Sequence, residues 1–168
     1  MELTGTKRRG AAGARRRTAP QPSGLAAADR LDIAELNDHV GYFLRRLQVA
    51  VFTHFIRTLK PLDVRPAQYS VLVLIAANPG RSQAAIGQAL NIERARLARM
   101  LHELERRQWI ERRADRDDGR SHSLFLTAAG AKALARIRRL AAKHEARMAE
   151  MIGSARRAML LELLREFG

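Results

Sequence analysis

The spacing of apolar residues changes from helical to strand-like in the middle of the chain, between residues 82 and 127. Residues 82–90 and 93–107 carry apolar side chains at intervals of three and four, and a short connection joins them, which predicts two consecutive helices. Residues 109–113 and 123–127 flank a charged, turn-prone segment, which predicts a hairpin. This order is typical of a winged helix-turn-helix, in which a β-hairpin follows two short helices.

A long amphipathic segment precedes this region. Residues 32–59 predict a single helix that Asp32 caps, with Glu35 as its capping-box partner, and that Pro61 ends. Pro66 is suited to the first turn of the next helix. The predicted fold class is therefore mainly α-helical with a small β-hairpin wing.

The C-terminal part of the chain is also predicted to be helical. Thr127 is expected to cap a helix over residues 128–151, and residues 155–167 form a last helix with an apolar stripe. This stripe and the long helix 32–59 expose more apolar surface than one small domain can cover, so a second copy of the chain is the simplest cover. Four regions are predicted: a basic disordered tail (1–28), an N-terminal dimerisation helix (29–60), the winged helix-turn-helix (61–127) and C-terminal dimerisation helices (128–168).

The charge of the chain indicates an anionic partner. Its 168 residues include 31 Lys and Arg against 17 Asp and Glu, a net charge of +14. Residues 1–28 hold six of the basic residues and one acid, and they are expected to be a solvated tail that adds non-specific affinity. The sequence has no cysteine, no membrane-spanning run and no signal-peptide pattern, so we expect a cytoplasmic protein without disulfides or a membrane partner.

Arginines are clustered where a winged helix-turn-helix meets DNA. The second helix of such a unit enters the major groove, and its N-terminal half carries Arg94, Arg96 and Arg99. These guanidinium groups can bond guanine edges or phosphates, although a solvated charged face would have the same composition. Ser82 and Gln83, at the start of the preceding helix, are expected to hold the DNA backbone.

The tip of the predicted hairpin supports the same interpretation. Arg120 can enter an adjacent minor groove, where a narrow groove concentrates negative potential. Asp118 can orient a nearby arginine through a charge-assisted hydrogen bond. Arginines on both the second helix and the hairpin tip, in this chain order, favour double-stranded DNA as the partner.

Residues 31–150 resemble the MarR family of winged-helix transcription regulators. The resemblance rests on four stretches, RPAQYSVL (65–72), SQAAIGQAL (82–90), IERARLARML (92–101) and the hairpin tip with the start of the next helix (115–130). The family's tip usually reads Asp-Pro-x-Asp-Arg-Arg, and here Arg116 replaces the proline and Gly119 the first arginine. The resemblance therefore assigns roles only to Asp118 and Arg120. It implies a homodimeric repressor that binds a pseudo-palindromic operator.

The resemblance also implies a small-molecule effector. Residues 40–52 are similar to the branch of the family that responds to hydroxycinnamoyl-CoA, so an aromatic acid or an aromatic acyl-CoA such as p-coumaroyl-CoA is expected. The basic residues of helix 128–151 suit the phosphates of CoA, and the alternatives are a solvated face or contacts with DNA outside the operator. The candidate effector-binding residues, which could equally be ordinary core or surface positions, are Tyr42, Arg45, Arg46, Val49, Phe52, His54 and Tyr69.

No motif indicates catalysis, a metal site or a cofactor. The chain lacks the P-loop, the dinucleotide-binding fingerprint and H-E-x-x-H, and its five histidines have no metal-ligand spacing. Glu103 and Glu105 lie beside Arg106 and Arg107, as is typical of surface ion pairs. The remaining alternative is an unregulated architectural DNA-binding protein, which would show no ligand effect and no preference for a palindrome.

Overall fold

The computed structural model describes residues 31–114 and 122–167. The chain divides into two compact units, residues 1–38 and 39–168, and the described part of the first contains a 3-10 turn, Ala34–Asp38. The second unit holds six helices and a two-stranded antiparallel sheet among the described residues, as predicted. In chain order these elements are α1 Val40–Leu59, a 3-10 turn Lys60–Leu62, α2 Pro66–Ala77, α3 Gln83–Ala89, α4 Arg94–Arg106, β1 Ile110–Ala114, β2 His122–Leu126, α5 Ala128–Ile152 and α6 Ser154–Arg165.

The prediction of a single helix from Asp32 to Leu59 was wrong at its N-terminal end. The Asp32 carboxylate accepts a hydrogen bond from the Ala34 amide at 2.9 Å, and Ala34 has a positive φ of 44°. The expected capping box does not form, because it would need that carboxylate at the amide of Glu35. His39 is extended, with φ −95° and ψ 110°, and α1 begins after it.

The predicted starts of α2, α3 and α5 are confirmed. Pro66 is the first residue of α2. The Ser82 hydroxyl accepts from the Ala85 amide at 3.3 Å, and the Thr127 hydroxyl accepts from the Gly130 amide at 2.9 Å.

The helices enclose one apolar core. Its most deeply buried side chains are Leu59, Val71, Leu72, Ile75, Ile86, Leu97, Leu101, Leu104, Leu124, Leu134 and Ile137. Met100 of α4 is only partly buried against this core.

The hairpin is fastened at its base to the segment that precedes α3. Strand β1 pairs with β2 from Ile110 opposite Leu126 to Ala114 opposite His122. Leu124 also exchanges backbone bonds with this segment: the Gly80 amide donates to its carbonyl at 2.9 Å, and its amide donates to the Arg81 carbonyl at 3.0 Å. The tip, residues 115–121, lies outside the described residues, and so do the tail and the candidates Asp118 and Arg120.

The start of α5 lies directly against the backbone that enters β1. The Thr127 amide donates to the Trp109 carbonyl at 3.1 Å, which holds the chain there. A Cβ atom at Gly130 would overlap the carbonyl oxygen of Trp109. The approach of this helix to the sheet therefore depends on a residue without a side chain.

Apolar side chains remain exposed on the first and last helices. No residue of α6 is buried, and large parts of α1 are open as well. The exposed large apolar residues on these two helices are Val40, Phe43, Leu44, Val49, Phe52, Ile56, Met159, Leu163 and Leu164. Among the described residues, no helix is both long enough and apolar enough to cross a bilayer.

Candidate nucleic-acid interface

The N-terminus of α4 is capped by its own acidic residue. The Glu93 carboxylate accepts from the Ala95 amide at 2.9 Å and from the Arg96 amide at 3.0 Å. These two backbone hydrogen bonds hold the pKa of Glu93 below its usual value, and the charge of Arg99 adds to them. The carboxylate therefore stays ionised and is committed to the helix backbone.

The predicted arginines of α4 are free to meet a ligand. Arg94, Arg96 and Arg99 are all exposed, and within the described part of the chain none makes a hydrogen bond or ion pair. Leu97 and Leu101 are buried on the side of the helix opposite Arg96 and Arg99, so these two arginines face outward, while Arg94 is exposed in the first turn. Three unpaired guanidinium groups on the first two turns of one helix can reach base edges and phosphates together.

A cleft of about 610 Å³ lies between α3, the start of α4 and the base of the hairpin. Ser82 and Gln83 line it, as does Arg94, so the structure brings these three predicted residues together. Arg112 and His122, which the sequence did not single out, line the hairpin side. The alternation of side chains along a strand predicts which residues share a face of the hairpin, but not which face lies against α3. These two residues could therefore not be predicted.

The other end of α4 is tied to the turn between α1 and α2. Arg107 donates to the Asp63 carboxylate at 2.7 Å, to the Asp63 carbonyl at 3.0 Å and to Glu103 at 3.0 Å. Its guanidinium carbon also lies 5.1 Å from the centroid of the Trp109 ring. The buried Gln68 side chain donates to Glu103 at 2.9 Å. One arginine thus joins the end of α4 to two other segments, while the N-terminal arginines are unconstrained.

Four of the candidate effector residues lie together on the surface of α1. Tyr42, Arg45, Arg46 and Val49 line a shallow pocket of about 300 Å³. The Arg46 guanidinium donates to the Tyr42 hydroxyl at 3.3 Å and lies 5.5 Å from its ring centroid. Phe52 is exposed on the same helix. This group combines aromatic and cationic side chains on one open face.

The other two candidates, His54 and Tyr69, belong to a separate cluster between α1, α2 and α5. Nδ1 of His54 lies 2.8 Å from Nδ1 of His144, so one ring must donate and the other accept. Phe55 contacts both neighbours, with ring centroids 5.8 Å from Tyr69 and 5.3 Å from His144. His144 could not be predicted from the sequence as a partner of His54, because helical spacing does not identify a contact 90 residues away.

We expect acid to destabilise the protein through His144. Burial lowers the pKa of His144, its neighbour His54 acts in the same direction, and Glu145 opposes them. A histidine with a lower pKa in the folded state contributes stability above its unfolded pKa, near 6.5, and loses that contribution as the pH falls. The urea midpoint should therefore fall between about pH 7.5 and about pH 5.5.

His144→Gln should flatten this pH dependence, measured by urea denaturation across the same range. His102→Gln is the matched control, because His102 is exposed on α4. It should keep the pH dependence of the unaltered protein. Identical pH profiles for His144→Gln and the unaltered protein would show that the buried pair does not control acid stability.

The described residues contain no group of three or more His, Cys, Asp or Glu side chains that could hold a metal ion. Neither His54 nor His144 therefore belongs to such a group.

The chain is similar to known transcriptional regulators in both sequence and structure. Residues 62–121 match the sequence model of the MarR family. A protein of Thauera aromatica named for transcriptional regulation of the hcr operon is 34% identical over 140 residues, which are 80% of this chain and 84% of that protein. The transcriptional repressor CouR, bound to a 23-mer DNA duplex, is 41% identical with a TM-score of 0.79, covering 82% of this chain and 98% of CouR. CouR bound to p-coumaroyl-CoA is 39% identical with a TM-score of 0.76, covering 82% and 97%.

Proposed function

Because the chain belongs to the MarR family, we propose that it is a homodimeric transcriptional repressor that an aromatic effector releases from its operator. The observation that carries this proposal is the set of three exposed, unpaired arginines on the first two turns of α4. They lie beside a hairpin fastened to the same helix-turn-helix. Solvent-exposed cations without acidic partners are what a DNA-reading helix needs.

In this proposal α4 enters the major groove. Arg94, Arg96 and Arg99 contact base edges and phosphates, and Ser82 and Gln83 hold the backbone from the start of α3. Asp118 and Arg120 of the hairpin tip serve the adjacent minor groove. The net charge of +14 supports an anionic partner, and CouR bound to a DNA duplex is a relative of this chain.

The exposed apolar residues of α1 and α6 support a homodimer. Val40, Phe43 and Phe52 on α1, with Met159 and Leu163 on α6, would otherwise face water. Residues 29–60 and 128–168 are therefore proposed to form the dimer, and residues 61–127 to bind DNA. Two-fold symmetry then requires two half-sites about one helical turn of DNA apart, roughly 34–36 Å.

The effector proposed is an aromatic acid or an aromatic acyl-CoA such as p-coumaroyl-CoA, the ligand bound to CouR. Tyr42, Arg45, Arg46, Val49 and Phe52 offer aromatic contact and positive charge on α1. His54 and Tyr69, in the partly buried aromatic cluster with Phe55 and His144, are proposed to contact the effector as well. The effector releases DNA by favouring a dimer whose two α4 helices no longer match the half-site spacing.

A binding assay on the DNA upstream of the protein's own coding sequence tests the proposal. At fixed salt and with competitor DNA, we expect a specific gel shift that p-coumaroyl-CoA or p-coumarate abolishes. A specific shift that neither ligand changes would contradict the effector. Binding with no preference for any operator over competitor DNA would favour the architectural alternative.

A further inference from the structure

A long groove with a cationic edge runs between α5 and the turn Lys60–Leu62. Two adjoining depressions of about 280 and 350 Å³ share Leu62 and Arg136 and together form what we call the α5 groove. Its apolar lining is formed by Pro61, Leu62, Trp109, Ala129, Ala133 and Leu140. Its cationic edge is formed by Lys132, Arg136, Arg139 and Lys143. The size falls within the range of small-molecule sites.

The four cations of this edge are uncompensated. Each is exposed, and none makes a hydrogen bond or ion pair with another described residue. They follow one another along α5 at intervals of four, three and four residues, where like charges are neighbours and destabilise a helix. Glu145, the single acid in residues 132–147, pairs with Arg157 of α6 at 2.6 Å. An anion with several charges would relieve this repulsion.

Trp109 gives the groove an aromatic wall at the end that faces β1. Its indole is partly buried and lines the first depression beside Lys132 and Arg136. A planar aromatic surface next to two neighbouring cations suits a nucleobase joined to phosphates. Bases stack on aromatic side chains, and guanidinium groups donate hydrogen bonds to phosphate oxygens.

We propose that the α5 groove binds the nucleotide part of the acyl-CoA effector, with its phosphates on the four cations and its adenine against Trp109. This inference rests on the proposed function and selects the acyl-CoA from the two proposed effectors, because a free aromatic acid has no nucleotide. The nucleotide carries a phosphomonoester and a phosphoanhydride, a charge pattern that a row of cations matches along its length. A free nucleotide shares this chemistry and is separated from the effector by the experiment below.

Ligand in the groove would touch residues that hold α4. Arg107, at the end of α4, donates from Nη1 to the Leu62 carbonyl oxygen at 3.4 Å, and its guanidinium group lies over the Trp109 ring. Leu62 and Trp109 both line the groove. Occupancy of the groove is therefore one contact away from the helix proposed to read DNA.

Calorimetric titration with two thioesters tests the site. The probes are p-coumaroyl-CoA and p-coumaroyl-N-acetylcysteamine, which has the same aromatic thioester and no nucleotide. The unaltered protein should bind the CoA thioester at least about tenfold more tightly. The double variant Arg136→Gln, Arg139→Gln should lose most of that difference and keep its affinity for the truncated thioester. Arg138→Gln is the matched control, since Arg138 is exposed and unpaired on α5 but does not line the groove.

The outcomes separate this site from the proposed function. Equal affinity of the unaltered protein for both thioesters would overturn the groove and leave an aromatic effector in place. Binding of neither thioester would overturn the effector, and adenosine 3′,5′-bisphosphate alone would then show whether the groove takes a free nucleotide. A double variant that binds both thioesters normally but binds operator DNA more weakly would assign the cations to DNA and overturn the nucleotide site.

Discussion

Gly130→Ala should destabilise the protein more than any other single methyl addition that the structure suggests. The new Cβ would overlap the carbonyl oxygen of Trp109, and the carbonyl carbon lies close behind it. These are backbone atoms held by the Thr127 amide, so no side-chain rotation can relieve the overlap. We expect a loss of at least about 3 kcal/mol in the free energy of unfolding, the upper part of the range for overpacking. Urea denaturation measures it.

Gly41→Ala is the matched control for this substitution. Gly41 lies inside α1, and a Cβ built there has no atom of the chain within 4 Å. Alanine should therefore stabilise the helix by about 0.5–1 kcal/mol. If the two variants unfolded at the same urea concentration, α5 would not approach the backbone at Trp109 as described.

Arg96→Ala should weaken operator binding by one to two orders of magnitude at fixed salt. The side chain is exposed and unpaired in the first turn of α4, so its removal costs the fold little and removes a charge-assisted contact from the proposed DNA complex. A base-contacting arginine contributes about 1–3 kcal/mol of binding free energy. Arg99→Ala should behave similarly, and fluorescence anisotropy with a labelled operator measures both.

Arg106→Ala provides the control within the same helix. Arg106 is also exposed and unpaired, but it lies in the last turn of α4, away from the proposed DNA-reading end. Its loss should change operator affinity less than about threefold, which corresponds to a surface charge without a phosphate contact. An effect of Arg106→Ala equal to that of Arg96→Ala would place the DNA-binding surface on the wrong end of the helix.

The parts of the fold set by local chemistry could be predicted from the sequence. The starts of α2, α3 and α5 depend on Pro66, Ser82 and Thr127, each of which acts within three residues of itself. The predicted start of α1 was wrong because the Asp32 carboxylate accepts a hydrogen bond from the Ala34 amide, not from the Glu35 amide as a capping box requires. The 3-10 turn that follows it buries no residue, so packing gave no preference for the helical choice.

The candidate site divides in the same way. Helical spacing alone separates Arg96 and Arg99 from the buried Leu97 and Leu101, whereas Arg94 is in line with these leucines and is exposed in the first turn. Arg112 and His144 were missed, because strand register and the packing of α1 on α5 decide what they face. His54 was grouped with Tyr42 although twelve residues on a helix turn the chain by roughly 120°, which moves it to another face.

The fastening of the hairpin base has a mechanical consequence. The Gly80 amide and the Arg81 carbonyl both form hydrogen bonds with the backbone of Leu124, so bending the described part of the hairpin away from α3 would break two hydrogen bonds. Rotating α3 and the hairpin base together would break neither. Under the proposed function, we therefore expect a motion that withdraws α4 from the major groove to carry the base of the hairpin with it, so that release from an operator is concerted within each subunit rather than stepwise.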